Sequence, residues 1–303
     1  MLGVVGDSAA GKTTLTDGIV NIFGSHRVTA ICIDDYHRYD REARKSRSIT
    51  PLHPDCNYLQ IMEQHLRLLS FGEPILKPVY NHSHGTLDPP ERVEPADYVV
   101  IEGLLAFHSK ALRDCFDVKV YLDPPEEVRR SWKIKRDTSK RHYTVEQVLA
   151  DLDRREPDSA AFIRPQRADA DIVVRFHPRA SRGEVDPTTY NVHLVLRPTL
   201  KHPYLAEIAS ETRTSGYEPI RLHLARDAGK PVDVLEVDGN VPPEVSAAAE
   251  KRIWERMHPH HDEELNHDAI GIFNDGHVQR RSESLALTQL LIVFQLIGAR
   301  AAG

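Results

Sequence analysis

Gly6-Asp7-Ser8-Ala9-Ala10-Gly11-Lys12-Thr13-Thr14 is the stretch that decides the fold. Four residues separate Gly6 from Gly11-Lys12-Thr13, the spacing of a phosphate-binding loop. The flanks agree with that reading. Residues 2–5 are a short apolar run, and residues 14–23 carry Leu15, Ile19, Ile22 and Phe23 at helical spacing. Glycines let the backbone turn tightly, so that successive N–H groups face a phosphate. The helix N-terminus that follows adds roughly half a positive charge. Lys12 is placed to reach the outer phosphates of a nucleotide, and the Thr13 hydroxyl suits Mg2+. The expected ligands are therefore ATP and Mg2+, with Gly6 through Thr14 forming the nucleotide cradle.

Outward from the loop, strands and helices alternate. Residues 28–33, 98–101, 118–122 and 172–176 read as buried strands, the first as buried on both faces. Residues 57–69, 125–140 and 144–155 read as amphipathic helices. This alternation predicts an α/β fold with a P-loop NTPase-type parallel sheet flanked by helices. The texture changes near Pro178, where residues 178–190 are rich in Pro, Arg, Gly, Asp and Thr. Strand character returns at residues 191–196, 220–224 and 232–237. Residues 243–257 and 284–299 read as helices, the last opened by Ser282 or Ser284 and apolar nearly all round. The expected organisation is a kinase core over residues 1–177 and a C-terminal α+β extension over 178–303, packed on or extending the core sheet.

Composition sets bounds. The 303 residues carry a net charge of −6, which argues against a basic nucleic-acid binder. Cys32, Cys56 and Cys115 form neither a disulfide framework nor a zinc pattern, which favours a cytoplasmic setting. No signal peptide is expected. Residues 285–297, the most apolar stretch, are too short to span a bilayer, so no membrane partner is expected.

In parallel sheets, ligands gather outside the carboxyl ends of the strands. Two predicted strands end there in acids: Asp34 and Asp35 after Ile33, and Glu102 after Ile101. A carboxylate at such a place needs a partner to offset its desolvation. Beside a nucleotide the partner is a metal ion or a reacting hydroxyl. Glu102 is the natural acid for Mg2+, directly or through water. One of Asp34 and Asp35 could take the proton of an attacking hydroxyl, the alternative being that both merely cap a loop. An ordinary aspartate is a weak base at neutral pH, so positioning and charge neutralisation must supply most of the catalysis.

Residues 129–141 hold seven basic side chains and one acid. On a helix, Lys133, Asp137 and Arg141 recur every four residues, with Arg136 one turn from Lys133. Such a run is either a solvated helix face or a lid that closes cations over a transferring phosphate. A second anionic site would also use them, since guanidinium binds phosphate bidentately.

Taken together, the stretches GDSAAGKTT, ICIDDYHRYDR, KPVYNHSHGTLDPPE, YVVIEGLL, WKIKRD and EPDSAAFIRPQ resemble the phosphoribulokinase and uridine kinase family of phosphate-loop kinases. They cover most of residues 1–170 in the family's order. The run from Lys77 to His82, followed by Gly85 and Leu87-Asp88-Pro89-Pro90, looks like the plant and cyanobacterial branch that acts on ribulose 5-phosphate. The resemblance implies ATP-dependent phosphorylation of the 1-hydroxyl of D-ribulose 5-phosphate, giving ribulose 1,5-bisphosphate, in a homodimer. It implies Asp34 as catalytic base, with His37 and Arg41 at the sugar phosphate and Glu102 serving Mg2+. Lys12, Lys133, Arg136, Asp137 and Arg141 would line the active site, with Lys77 and Tyr80 on the substrate side. The alternatives are a kinase of a nucleoside or another sugar phosphate, or a non-catalytic nucleotide-binding regulator.

One departure is informative. Plant members are redox-regulated through a cysteine in the loop paired with one at the end of the second strand. Cys32 matches the second position, but the loop carries Ala10, so no such thiol switch is expected and Cys32 reads as a small buried hydrophobe. His258, His260, His261 and His267, near Asp262, Glu263 and Glu264, match no standard metal spacing and read as solvated.

Overall fold

The computed structural model describes residues 1–178, 186–200, 205–214, 216–257 and 265–301. Of the histidine-rich stretch, His258 to Glu264 lie outside the described residues. In chain order, β1 (Leu2–Gly6) enters the loop and α1 (Lys12–Phe23) leaves it. Contacts divide the chain into two compact units. The first comprises Met1–Lys12, Ser25–Leu122 and Glu126–Ala170, the second Thr13–Gly24, Asp123–Pro125 and Asp171–Gly303.

The first unit contains β2 (Val28–Cys32), α2 (Arg41–Ser46), α3 (Leu59–Ser70), β3 (Ile75–Asn81), β4 (Thr86–Val93), β5 (Tyr98–Gly103), α4 (Lys110–Arg113), β6 (Val118–Leu122), α5 (Glu126–Arg141) and α6 (Val145–Asp158). Its parallel strands run in the order β2-β5-β1-β6. β1 is central, and its five residues are all buried. That is why residues 2–5 read as continuous apolar sequence rather than alternating. β2 is the edge strand, and Ala30 is exposed, so it is not buried on both faces as its composition suggested. A run of small and β-branched residues fits an edge as well as a centre. α6 starts at a capping box, in which the Thr144 hydroxyl and the Gln147 side chain satisfy each other's backbone N–H groups.

β3 and β4 form a separate antiparallel hairpin. The sequence pattern hid it, because Pro78, Pro89 and Pro90 are poor ladder donors and almost all of β4 is exposed. Gly85 makes the turn at φ +77°.

The second unit contains α1 from Thr13, then β7 (Ile172–His177), β8 (Asn191–Leu196), α7 (Leu205–Glu211), β9 (Ile220–Asp227), β10 (Lys230–Val237), α8 (Pro243–Met257), the hairpin β11 (Ile272–Asp275) with β12 (Val278–Arg281), and α9 (Glu283–Ala301). Here the strands run β7-β8-β10-β9, all antiparallel. α9 is buried along residues 285–296, as its all-round apolarity predicts. Its buried Gln289 accepts from Gly271 N at 2.7 Å and donates to Thr14 O at 3.0 Å. Gly18 leaves the room this side chain occupies, since a Cβ there would lie 2.1 Å from the Gln289 amide. No described helix is long and apolar enough to cross a membrane.

Candidate active site

The loop is a cup of backbone. A Cβ at Gly6 would lie 2.8 Å from the Leu122 carbonyl, so only glycine fits there. Ala9 and Gly11 take left-handed conformations, at φ +65° and +94°, which turn successive N–H groups inward. Lys12 Nζ donates to the carbonyls of Gly6 and Asp7, 3.0 Å each, and so folds back over its own loop. Thr13 and Thr14 form the first turn of α1. Glu102 ends β5, in register with Val4 of β1 and Cys32 of β2, at the same carboxyl rim.

At that rim a 3₁₀ turn, Ile33–Tyr36, follows β2 and separates the two aspartates. Asp35 accepts from Lys77 Nζ and, at 3.0 Å, from Tyr80 N. Lys77 is buried and also pairs with Glu91 at 2.9 Å. Among the described residues Asp34 makes no such tight pair. Its Oδ2 lies 3.8 Å from His82 Nε2. Burial raises the Asp34 pKa, but the fields of His37, His82, Lys12 and Arg155 outweigh it and hold the carboxyl below its ordinary value. Asp34 and Lys12, expected at one site from the sequence, are thus within each other's field.

Aromatic and imidazole rings fix the floor beside Asp34. His37 is buried, with Nδ1 2.8 Å from Asn57 Oδ1. Tyr80 stands edge-on between His37 and His82, at centroid distances of 4.8 and 5.0 Å. Arg44, also buried, donates to the Tyr80 hydroxyl and sits 4.8 Å over its ring. Burial lowers the pKa of both His37 and His82, helped by Arg44 for the former and by Arg141 and Arg136 for the latter. Both imidazoles are therefore neutral at neutral pH. Arg41 donates to the His82 carbonyl at 2.7 Å and remains partly exposed.

The basic segment is α5, and its charges converge on Asp137. Lys133 and Arg136 each lie 2.8 Å from that carboxylate, and Arg141 lies 3.5 Å away. Burial pushes the Asp137 pKa up, but Arg136 and Lys133 bring it down to about 2. Lys133 is buried and also reaches Asp151 of α6 at 3.4 Å. Arg136 and Arg141 keep 33 % and 42 % of their side chains exposed, so both are accessible to a ligand.

Three site residues were not singled out from the sequence: His82, Arg44 and Arg155. His82 belongs to the hidden hairpin, and the other two matter through contacts distant in the chain. Cys32 is half-buried rather than buried, and burial together with Asp34 and Glu102 raises its thiol well above its usual pKa. It is a protonated, unreactive thiol.

A phosphate cup, an ionised carboxylate within the field of its lysine and a bank of accessible guanidinium groups define a phosphate-loop kinase. Residues 1–181 match the Phosphoribulokinase / Uridine kinase family, and the chain belongs to it. A phosphoribulokinase from Synechocystis is 38% identical over 252 residues, which span 79% of this chain and 76% of that one. A uridine kinase from Latilactobacillus sakei is 30% identical over 177 residues, 57% of this chain and 84% of that one. The solved structure of a phosphoribulokinase from Rhodobacter spheroides shares the fold, with a TM-score of 0.57 and 19% identity over 84% of this chain and 96% of that one.

Proposed function

We propose that the protein phosphorylates the 1-hydroxyl of D-ribulose 5-phosphate with ATP, giving ribulose 1,5-bisphosphate and ADP. The observation that carries this is the pairing of one loosely held carboxylate, Asp34, with cations beyond those the loop itself needs. Arg41, Arg136 and Arg141 are partly exposed and suit a second phosphate. A nucleoside has no such group to neutralise. The similarity to phosphoribulokinase also runs further along the chain than that to uridine kinase.

Asp34 takes the proton of the sugar hydroxyl as its oxygen attacks the terminal phosphorus. The new P–O bond forms while the bond to the bridging oxygen breaks, and ADP carries away the electron pair. With its pKa held down, Asp34 is a weak base, so its share is about 10²–10⁴-fold. Charge neutralisation by Lys12, Arg136 and Arg141 supplies the larger part. His37, seated on Asn57 and Tyr80, and Arg41 orient the sugar phosphate. Lys77, Tyr80 and Lys133 act from behind: the two ammonium groups are held in buried ion pairs and set the position of their neighbours. The donor chemistry fits Mg2+, because Thr13 and Glu102 would each offer a hard oxygen ligand. When bound, the ion neutralises charge on the nucleotide phosphates.

The catalytic core is residues 1–177, with 178–303 as its extension, in a cytoplasmic homodimer. A coupled ADP-release assay comparing ribulose 5-phosphate with uridine tests the assignment. Turnover of the sugar phosphate alone is expected; turnover of uridine alone would overturn it.

A further inference from the structure

Asp7 is the second residue of the phosphate loop, yet its carboxylate faces into the protein. It is 8% exposed. Three groups hold it. Ser8 N donates to its Oδ1 at 2.7 Å, the Ser159 hydroxyl donates to its Oδ2, and Arg129 Nη1 lies 3.6 Å from Oδ1. The same Arg129 nitrogen donates to the Ser8 carbonyl at 3.1 Å, while its other nitrogens hold Glu126. Arg129 and Ser159 are themselves 5% and 2% exposed.

A buried carboxylate under an anion-binding loop opposes phosphate unless it is neutralised. Arg129 supplies the charge and Ser159 the remaining hydrogen bond. The carbonyls of Gly6, Asp7 and Ser8 are engaged by Lys12 and Arg129, and the Ser8 and Ala10 N–H groups are held on Asp7, so the turn of the loop is fixed on both its donors and its acceptors. The two outside anchors come from the two helices that carry the site's charges. Arg129 lies on α5, which bears Arg136 and Arg141. Ser159 opens a single π-helical turn, Ser159–Ile163, that ends α6 just after Pro157. Such turns break helical register and recur at functional sites. The break is anchored on both sides, since Asp158 accepts from the Thr50 hydroxyl at 2.6 Å.

Granting the kinase activity proposed above, we propose that Asp7, Arg129 and Ser159 form a positioning clamp that holds the phosphate loop in its ATP-binding shape. It ties that shape to the placement of α5 and α6. None of the three side chains is assigned a contact to substrate. They act through the backbone of Gly6 to Ser8.

The test is Ser159→Ala, with Ser159→Thr as the conservative variant and Arg129→Lys as an independent second variant. ATP affinity is measured by equilibrium titration without sugar, so that it reads the clamp whatever the acceptor substrate proves to be. KM for both substrates and the ligand-free melting temperature are measured alongside. A lost hydrogen bond to a charged group predicts about tenfold or more weaker ATP binding in Ser159→Ala. Arg129→Lys keeps the charge but lacks the guanidinium fork, and should weaken ATP about threefold or more. KM for ribulose 5-phosphate should stay within about twofold, and Ser159→Thr should recover most of the ATP affinity. Native ATP affinity in both Ser159→Ala and Arg129→Lys would overturn the clamp. So would an equal loss of affinity for both substrates accompanied by a lower melting temperature, which is the signature of a merely structural role.

Discussion

The end of β2 and the face of α5 each carry a crowd of charge, and each divides it the same way. At β2, Asp35 is spent on Lys77 and the Tyr80 N–H, while among the described residues its neighbour Asp34 has a long contact to His82, at 3.8 Å, as its ion pair. On α5, Lys133 is spent on Asp137 and Asp151, while Arg136 and Arg141 keep a third or more of their side chains exposed. In both places the residue type says nothing about the role. What separates Lys133 from Arg136 and Arg141, all three of which reach Asp137, is burial, and on the proposed function that sorts the structural charges from the chemical ones. The satisfied member then holds the unsatisfied one in place, at the cost of desolvating a pair.

That division can be broken by substitution. The largest effect belongs to Asp34→Asn, which should lower kcat by about 10²-fold or more with little change in ATP affinity. An unchanged kcat would remove Asp34 from the chemistry. Next is Lys133→Met, which leaves the buried Asp137 and the half-buried Asp151 each short of a partner. About 3 kcal/mol of stability should be lost in urea unfolding at neutral pH. The loss should shrink in acid. Asp137 is held at about 2 in the folded protein, against an ordinary 3.8, so its ion pairs stabilise fully above 3.8 and fade as pH falls through 2.

Smaller still are the accessible cations. Arg141→Ala and Arg41→Ala should each raise KM for ribulose 5-phosphate about tenfold, the worth of one charge-assisted bond to phosphate, with KM for ATP nearly unchanged. No change in either would move the sugar-phosphate site elsewhere. The smallest effect is that of pH. Because Asp34 is held below its ordinary pKa, it is ionised throughout the neutral range, and kcat should vary less than about twofold between pH 6 and 8. An acid limb that vanished in His82→Gln would instead assign the titrating group to His82.

Much of the fold was legible in the sequence. The loop, β1, β5, β6 and α5 announce themselves because each obeys a strong local rule: glycine spacing, continuous apolar burial or helical periodicity. The β3–β4 hairpin breaks such rules, with prolines in both strands and an exposed outer face, and so it went unread. The candidate site was legible as a set of residues but not as a set of roles. Asp34 and Asp35 are adjacent and chemically alike, and Lys77, which tells them apart, lies 42 positions away. The partner of Asp7 is more remote, with Ser159 lying 152 positions away. Contacts of that range follow from topology and helix register, which no local pattern encodes.

The two neighbouring aspartates offer the most direct trial. Turnover at saturating substrates and urea stability are to be measured together on Asp34→Asn and Asp35→Asn. The expected result is a crossing: the first variant stays folded as firmly as the parent but loses at least about 10²-fold in kcat. The second loses up to about 3 kcal/mol of stability, because Lys77 loses one of its two carboxylate partners and keeps Glu91. Equal losses of turnover with unchanged stability in both, or full activity in Asp34→Asn, would contradict the division of roles.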